Sequence, residues 1–319
     1  MRSKHHVIMS VVFVFLDGVG LAPATNDNPL AAAATPALHA LLGGPLTLEQ
    51  ATQRISSTQR MLFKPIDATL GVPGLPQSGT GHTALLAGVN AAALHGRHQP
   101  HFPPVALRPL LAEQSIFRQV LARGGRATFA NAFGPGYWQA LAARRIRKSA
   151  SVIAAEGAGL RFRDGNDLRD GQAVSWDVTN ATMQLREPDM NIPLVHPAEA
   201  GANLAALATN HEFVFYESFL PDLAGHGRLT PEARNDTPGI ESQVQAVMAL
   251  LDGLIGGVLG ALRPGDTVLI TSDHGNVESL AEPVHTRNPV PLLAVGPGAA
   301  AFAQVEAISG IAQAIINAL

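Results

Sequence analysis

The chain has 319 residues, 46% hydrophobic and 15% charged, with 22 Lys and Arg against 25 Asp and Glu for a net charge of −3. That is enough apolar material for one large α/β domain or two smaller ones, and it leaves no overall basic field to recruit nucleic acid. The absence of Cys excludes disulfides, thiolate metal ligands and a Cys nucleophile, so a metal would have to be held by the 12 His, by carboxylates or by hydroxyls.

The chain begins Met1-Arg2-Ser3-Lys4 and continues into an apolar run over 7–16, which imitates a signal peptide, with Leu21-Ala22-Pro23-Ala24 imitating a cleavage site. The run is β-branched and aromatic (Val11, Val12, Phe13, Val14, Phe15), which suits a buried parallel strand over 11–16. It leads straight into Asp17-Gly18-Val19-Gly20, with residues 1–8 as an extension of little consequence. No stretch reads as long enough to span a membrane, and a cytoplasmic protein is expected. Thr35 is placed to cap a helix over 37–42, with Pro36 at its first position. Residues 43–77 read as short strands and loops.

The stretch Gly74-Leu75-Pro76-Gln77-Ser78-Gly79-Thr80-Gly81-His82-Thr83 then precedes the apolar run 84–89. A Gly- and Pro-rich loop that ends at a hydroxyl before a helix-compatible run puts Ser78 at a helix N-terminus, where free N–H groups and the helix dipole favour an anion. Ser78 is either an ordinary N-cap or a nucleophile that shares this positive end with an incoming phosphate.

In the loop 95–104, His95, His98 and His101 are flanked by prolines without an accompanying acid and read as solvated loop. A helix over 115–122, stopped by Gly124-Gly125, and a strand over 127–132 form one αβ unit. Residues 134–198 change character: a basic cluster (Arg144, Arg145, Arg147, Lys148) is followed by turn signals at Arg163-Asp164-Gly165-Asn166-Asp167 and Asp170-Gly171. This segment reads as a small lid inserted within a domain spanning 9–319. Its cluster is a solvated helix face or, beside a phosphate site, a substrate contact through Arg144 and Arg145.

The regular pattern then returns. A helix runs from His196-Pro197 to 208 and a strand covers 212–217, followed by Asp222-Leu223-Ala224-Gly225-His226. A long amphipathic helix fills 240–262, and a strand over 266–271 ends at Ser272-Asp273-His274-Gly275-Asn276. His285-Thr286-Arg287-Asn288-Pro289-Val290-Pro291, a strand over 292–295 and a helix over 303–319 complete the order. The alternation predicts an α/β three-layer sandwich with a mostly parallel central sheet.

Acids and imidazoles gather beyond the strands, where open α/β sheets carry their functional groups: Asp17, Asp222 with His226, Asp273 with His274, and His285. Carboxylate and imidazole without thiolate suit Zn²⁺, Mn²⁺ or Mg²⁺, and the donors suffice for two divalent ions. A pair of ions can hold the attacking and leaving oxygens of a phosphoryl transfer, and can depress the pKa of a hydroxyl such as that of Ser78.

Asp17-Gly18-Val19-Gly20, Ser78 with Gly81-His82, Asp222 with His226, Asp273-His274-Gly275-Asn276 and His285-Thr286 through Pro291 resemble, in this order, the motifs of the alkaline phosphatase superfamily. The resemblance is in particular to its branch of cofactor-independent phosphoglycerate mutases and phosphopentomutases, over about 9–133 and 197–319. It implies one metal bound by Asp222, His226 and His285, and a second bound by Asp17, Asp273, His274 and the hydroxyl of Ser78. Ser78 would be the residue phosphorylated in the intermediate, with Thr80 as the runner-up, and the substrate a small phosphate ester. The mutases of this branch carry a sizeable second domain that keeps water from the phosphoenzyme. Only 134–198 is available for that purpose here, so a phosphatase or phosphodiesterase is expected ahead of a phosphomutase. A sulfatase is disfavoured because those enzymes use a modified Cys or Ser in a different motif. A non-catalytic metal-binding scaffold would have lost a ligand or the nucleophile, and none is lost.

Overall fold

In β1 (Val11–Leu16) every residue is buried, and the side chains divide by period two. Val11, Phe13 and Phe15 enter one core cluster, and Val12, Val14 and Leu16 enter another. An unbroken apolar run demands burial on both faces, which puts β1 inside a sheet between two helical layers. The structure is a computed structural model describing residues 9–51, 60–229, 239–281 and 284–319; the expected extension 1–8 and part of the segment 43–77 lie outside the described residues.

With β2 (Met61–Ile66), β3 (Ala127–Phe129), β4 (Phe213–Ser218), β5 (Thr267–Thr271) and β6 (Val290–Val295), β1 builds a sheet of order β2-β6-β5-β1-β4-β3. β1 pairs parallel with β4 and β5, and β3 pairs parallel with β4; β6 runs antiparallel to both β5 and β2. Helices Ser78–Ala87, Ile116–Ala122, Ala150–Gly157 and Ile311–Ala318 fill one face, and Pro197–Ala206 and Ile240–Ala261 fill the other. The fold is the expected α/β sandwich on a mostly parallel sheet.

Several expectations are corrected. The 22-residue helix Ile240–Ala261 is long and apolar enough for a membrane span by length and composition, contrary to the reading that no segment is. In this structure it is a core helix, burying Val244, Val247, Leu251, Leu254 and Val258 at helical spacing. Its buried Asp252 accepts bonds from the N–H groups of Ala37 (2.9 Å) and Leu38 (2.7 Å). That carboxylate caps helix Pro36–Leu42 in place of Thr35, whose side chain makes no capping bond. The strand expected over 127–132 ends at Phe129, because Asn131 and Ala132 turn away to bridge Val174 and Arg163. The final helix begins only at Ile311, after 3₁₀ turns at Pro297–Phe302 and Ile308–Gly310.

The segment 134–198 is not all peripheral. Ala150, Val152, Ala154 and Ala155 of helix Ala150–Gly157 belong to the main core. Leu168, Ala173, Met183 and Ile192 instead pack with Ala132 into a small separate cluster.

Candidate metal centre

Register decides which residues meet. Phe15 of β1 is level with Glu217 of β4 and with Thr271 of β5, so the residues that follow these strands emerge at one edge of the sheet. The Asp17 N–H still donates to the Ser218 carbonyl at 3.0 Å, fixing the first acid at that edge. Because β6 runs the other way, the loop leading into it returns to the same edge and brings His285 there. Close approach is possible because glycines stand at the contacts. A Cβ on Gly18 (φ +77°) would lie 2.8 Å from Asp222 Cβ, and one on Gly81 would lie 2.8 Å from Asp273 Cβ.

The edge carries two donor groups, Asp17 with Asp273 and His274, and Asp222 with His226 and His285, each with its ligand atoms within 4.8 Å of one another. His274 Nε2 lies 3.3 Å from Asp17 Oδ1, 3.2 Å from Asp273 Oδ2 and 3.0 Å from Ser78 Oγ. Asp222 Oδ1 lies 3.4 Å from His226 Nε2 and 3.5 Å from His285 Nε2, and these two nitrogens are 3.2 Å apart. The rings of His274 and His285 stack with centroids 3.7 Å apart, so the groups share a wall. His285 Nδ1 is 2.9 Å from the Pro76 carbonyl, and His274 Nδ1 is 3.3 Å from the Gly275 carbonyl. A carbonyl only accepts, so each Nδ1 carries the proton and each Nε2 turns a bare lone pair into its cluster.

The electrostatics leave a positive charge wanting. Among the described residues, the buried Asp17 Oδ1 and Asp273 Oδ2 have no hydrogen-bond donor. Burial, then the nearby Asp273 carboxylate, pushes the Asp17 carboxyl well above its ordinary range. For Asp273 the upward pull of burial is outweighed by His274 and His82, and its carboxyl is held low. Burial drops His274 to about 4. Burial also opposes the charged forms of Asp222 and His285, but the approach of the His226 and His285 imidazoles lowers the acid, and the Asp222 carboxylate raises the His285 imidazole. A divalent cation would satisfy the orphaned oxygens and the bare imidazole nitrogens together. The donors, oxygen and nitrogen without thiolate, fit such an ion.

The structure brings Asp17, Ser78, Asp222, His226, Asp273, His274 and His285 into this one region. Ser78 is not the N-cap: Gln77 holds that position with extended backbone, and Ser78 opens a helix whose ten residues are all buried. The Thr80 hydroxyl donates to the Gln77 carbonyl and accepts from the Gln99 N–H, both at 3.2 Å, so it is committed to backbone. Arg144 and Arg145 are exposed after helix Pro135–Ala142, and neither is a member of the two donor groups.

Three further residues belong to the region. His82 Nε2 lies 3.1 Å from Asp17 Oδ2 and 3.2 Å from Asp273 Oδ2, and those carboxylates, against the downward pull of burial, raise its pKa well above the ordinary value. Its spacing of four from Ser78, which puts both on one helix face, was the available signal. Asn276 donates its side-chain amide to Asp222 Oδ1 at 2.7 Å. Glu278 accepts from the N–H groups of Gly20 (3.0 Å) and Asn276 (2.8 Å), from the Asn288 side-chain amide (3.0 Å) and from the Thr286 hydroxyl. It ties together the loops after β1, after β5 and before β6. Beside the clusters lies a cavity of about 620 Å³, whose walls include Phe133, Tyr137, Trp176, Arg186, Phe219 and Leu223.

Comparison with known proteins gives consistent results. A TAB5 alkaline phosphatase variant solved with Mg bound superposes with a TM-score of 0.50 at 13% identity, covering 97% of each chain, a likeness of fold alone. A phosphopentomutase of Methylobacterium radiotolerans is 46% identical over 68 residues, covering 21% of this chain and 16% of that protein. A 2,3-bisphosphoglycerate-independent phosphoglycerate mutase of Syntrophotalea carbinolica is 34% identical over 125 residues, covering 37% of this chain and 21% of that protein. These alignments reach well under two thirds of either relative's length. The family model, by contrast, runs through the sheet and both donor clusters, over residues 9–319, and the chain belongs to the Metalloenzyme superfamily.

Proposed function

We propose that this protein is a two-metal phosphoryl-transfer enzyme that hydrolyses a small phosphate ester, as a phosphatase or phosphodiesterase, through a phosphoserine at Ser78. The observation that carries the reading is the Ser78 hydroxyl, 3.0 Å from His274 Nε2 at the start of a buried helix and beside two adjoining donor clusters. Zn²⁺, Mn²⁺ or Mg²⁺ ions held by Asp17, Asp273, His274 and Ser78 and by Asp222, His226 and His285 would lower the pKa of the Ser78 hydroxyl and offset charge on the attacking and leaving oxygens.

The chain supplies the rest. Ser78 Oγ forms a bond to phosphorus as the ester P–O bond breaks, and the alcohol leaves with the proton given up by the serine. Water then cleaves the phosphoserine, restoring the hydroxyl and releasing phosphate. The N-terminus of helix Ser78–Ala87 favours the phosphate, and His82, bonded to Asp17 Oδ2, orients that carboxylate. The partial exposure of Asp222 and His226 gives water a route, which supports hydrolysis. A phosphomutase reading draws on the relatives' activities.

The test is intact-mass spectrometry after incubation with Mn²⁺ or Zn²⁺ and a panel of phosphomonoesters, with free phosphate assayed in parallel. A phosphoryl adduct on Ser78 with steady phosphate release is expected. An adduct discharged only by one phosphosugar or phosphoacid would make the enzyme a mutase, and full turnover by Ser78→Ala would remove the phosphoserine reading.

A further inference from the structure

Building on that phosphoryl-transfer reading, we propose that the ester carries an aryl group, seated in the cavity beside the donor clusters, rather than a glycerate or a pentose. Position is the first argument. Phe219 and Leu223 line the cavity and flank Asp222 in the chain. The Phe219 ring stacks near-parallel to the His82 ring, with centroids 6.1 Å apart, and His82 in turn bonds Asp17. The cavity therefore starts where a phosphate at Ser78 would direct its organic group. Its volume of about 620 Å³ lies within the roughly 300–1,000 Å³ usual for small-molecule sites.

The lining is the second argument. Phe133, Tyr137, Trp176 and Phe219 supply rings, and Met183 and Leu223 supply aliphatic surface. Phe133 and Tyr137 already pack on each other at 4.7 Å between centroids, so the aromatic wall exists before any ligand arrives. Three of the polar residues in the lining, Asn131, Glu187 and Glu217, are already engaged by the protein. The Asn131 amide donates to the Glu217 carbonyl at 2.8 Å and accepts from the Glu217 N–H at 2.9 Å. Glu187 accepts from the Gly136 N–H at 2.8 Å, and Glu217 accepts from the Ser151 hydroxyl. Arg186 is the cation of the lining, and Glu187 follows it in the chain and lines the same cavity. A glycerate carboxylate would find one cation on this wall, Arg186, offset by the neighbouring Glu187, while most of the named side chains present ring or aliphatic surface. A flat apolar ring gains from both ring stacking and burial.

The experiment is calorimetry on the Mn²⁺-loaded protein with two non-hydrolysable probes, benzylphosphonate and methylphosphonate, and with 3-phosphoglycerate as competitor. Benzylphosphonate is expected to bind at least about tenfold tighter than methylphosphonate, a modest yield for burying one ring. Trp176→Ala should erase most of that ratio while leaving methylphosphonate within about twofold. Tyr137→Ala, which changes another ring of the lining, is the second variant should the first not fold. Equal affinities for the two phosphonates, or displacement of benzylphosphonate by lower concentrations of 3-phosphoglycerate, would overturn the aryl assignment. Turnover of phenyl phosphate is followed separately: selective binding of the benzyl probe without any turnover would uphold the cavity assignment and remove the phosphoryl-transfer reading instead.

Discussion

The side chains of Asp17, Asp273 and His274 are 5%, 0% and 0% exposed, whereas those of Asp222, His226 and His285 are 18%, 17% and 10% exposed. The first group hangs directly from the ends of β1 and β5, paired strands whose register fixes where the acids emerge. The second is borne by the short helix Leu220–Gly225, the residue after it and the loop into β6. Similar donors thus sit in different solvents. Carboxylates in the buried group cannot borrow charge from water, so they depend on a cation or on His82 for compensation. Donors in the second group keep partial access to water, which under the proposed reaction would let ions and water exchange there.

Substitution of one carboxylate in each group separates the two most sharply. Asp273→Asn is expected to cost on the order of 10³-fold in kcat, because a neutral amide withdraws an electrostatic stabiliser from a dry site. Metal analysis should find the buried group's ion missing while the second is retained. Asp222→Asn should show the reverse loss. Full metal content or full activity in either variant would dissolve the distinction between the groups.

Glu278 tests whether the two regions are held together by their strands or by a shared support. It accepts from Gly20, Asn276, Thr286 and Asn288, and so spans the segments that carry Asp17, Asp273 and His285. Glu278→Gln replaces one accepting oxygen by a donor. A loss of about 10–100-fold in metal affinity or activity is expected, the scale seen when groups supporting metal ligands are removed. Unchanged metal affinity and kcat would mean that the strands alone set the geometry.

The sequence made one side of this comparison easier to read than the other. An apolar strand running into Asp17, or into Asp273-His274, announces both the strand and the edge at which its acid emerges. The direction of β6 was not legible, since alternation has no polarity, and only the family resemblance grouped His285 with Asp222 and His226. Glu278 escaped notice because its partners lie on loops separated by up to 268 residues of chain, counted from Gly20 to Asn288. The lid expected over 134–198 hid a core helix because Ala150, Ala154 and Ala155 are small residues behind a run of arginines. The cavity was illegible for a related reason: its walls come from stretches around Phe133, Trp176, Met183 and Phe219 that meet only in the fold.

Glu217 extends the contrast to a buried acid outside both groups. Burial raises its carboxyl from 4.5 to about 7, with Ser151 and His82 pulling the other way. Between these values the native carboxyl keeps a proton that the unfolded chain has released. Its contribution to stability is therefore whole below pH 4.5 and is lost as pH rises to about 7. The shift corresponds to about 3 kcal/mol. Urea unfolding at the two ends of that window should show the wild type losing stability with rising pH, and Glu217→Gln losing distinctly less. Parallel curves for the two proteins would place the titration elsewhere.

The smallest expected effect concerns the arginines that the sequence nominated. Arg144 and Arg145 are exposed, and neither lines the cavity, although the neighbouring Ile146 does. Nearby cations are occupied on the surface: Lys148 bonds Glu156 at 2.6 Å, and the Arg147 guanidinium lies 5.8 Å from the centre of the Phe102 ring. A charge held in water and screened by salt contributes little to a ligand that it does not contact. Replacing Arg144 and Arg145 together with Ala should accordingly leave KM within about twofold at moderate salt, with any residual change shrinking as salt is added. Arg186→Ala, on the cavity wall, should alter KM more than the double variant does. A KM raised tenfold by the double variant and insensitive to salt would instead mean that the turn after helix Pro135–Ala142 folds over bound ester, bringing into contact with substrate a surface that this structure leaves in solvent.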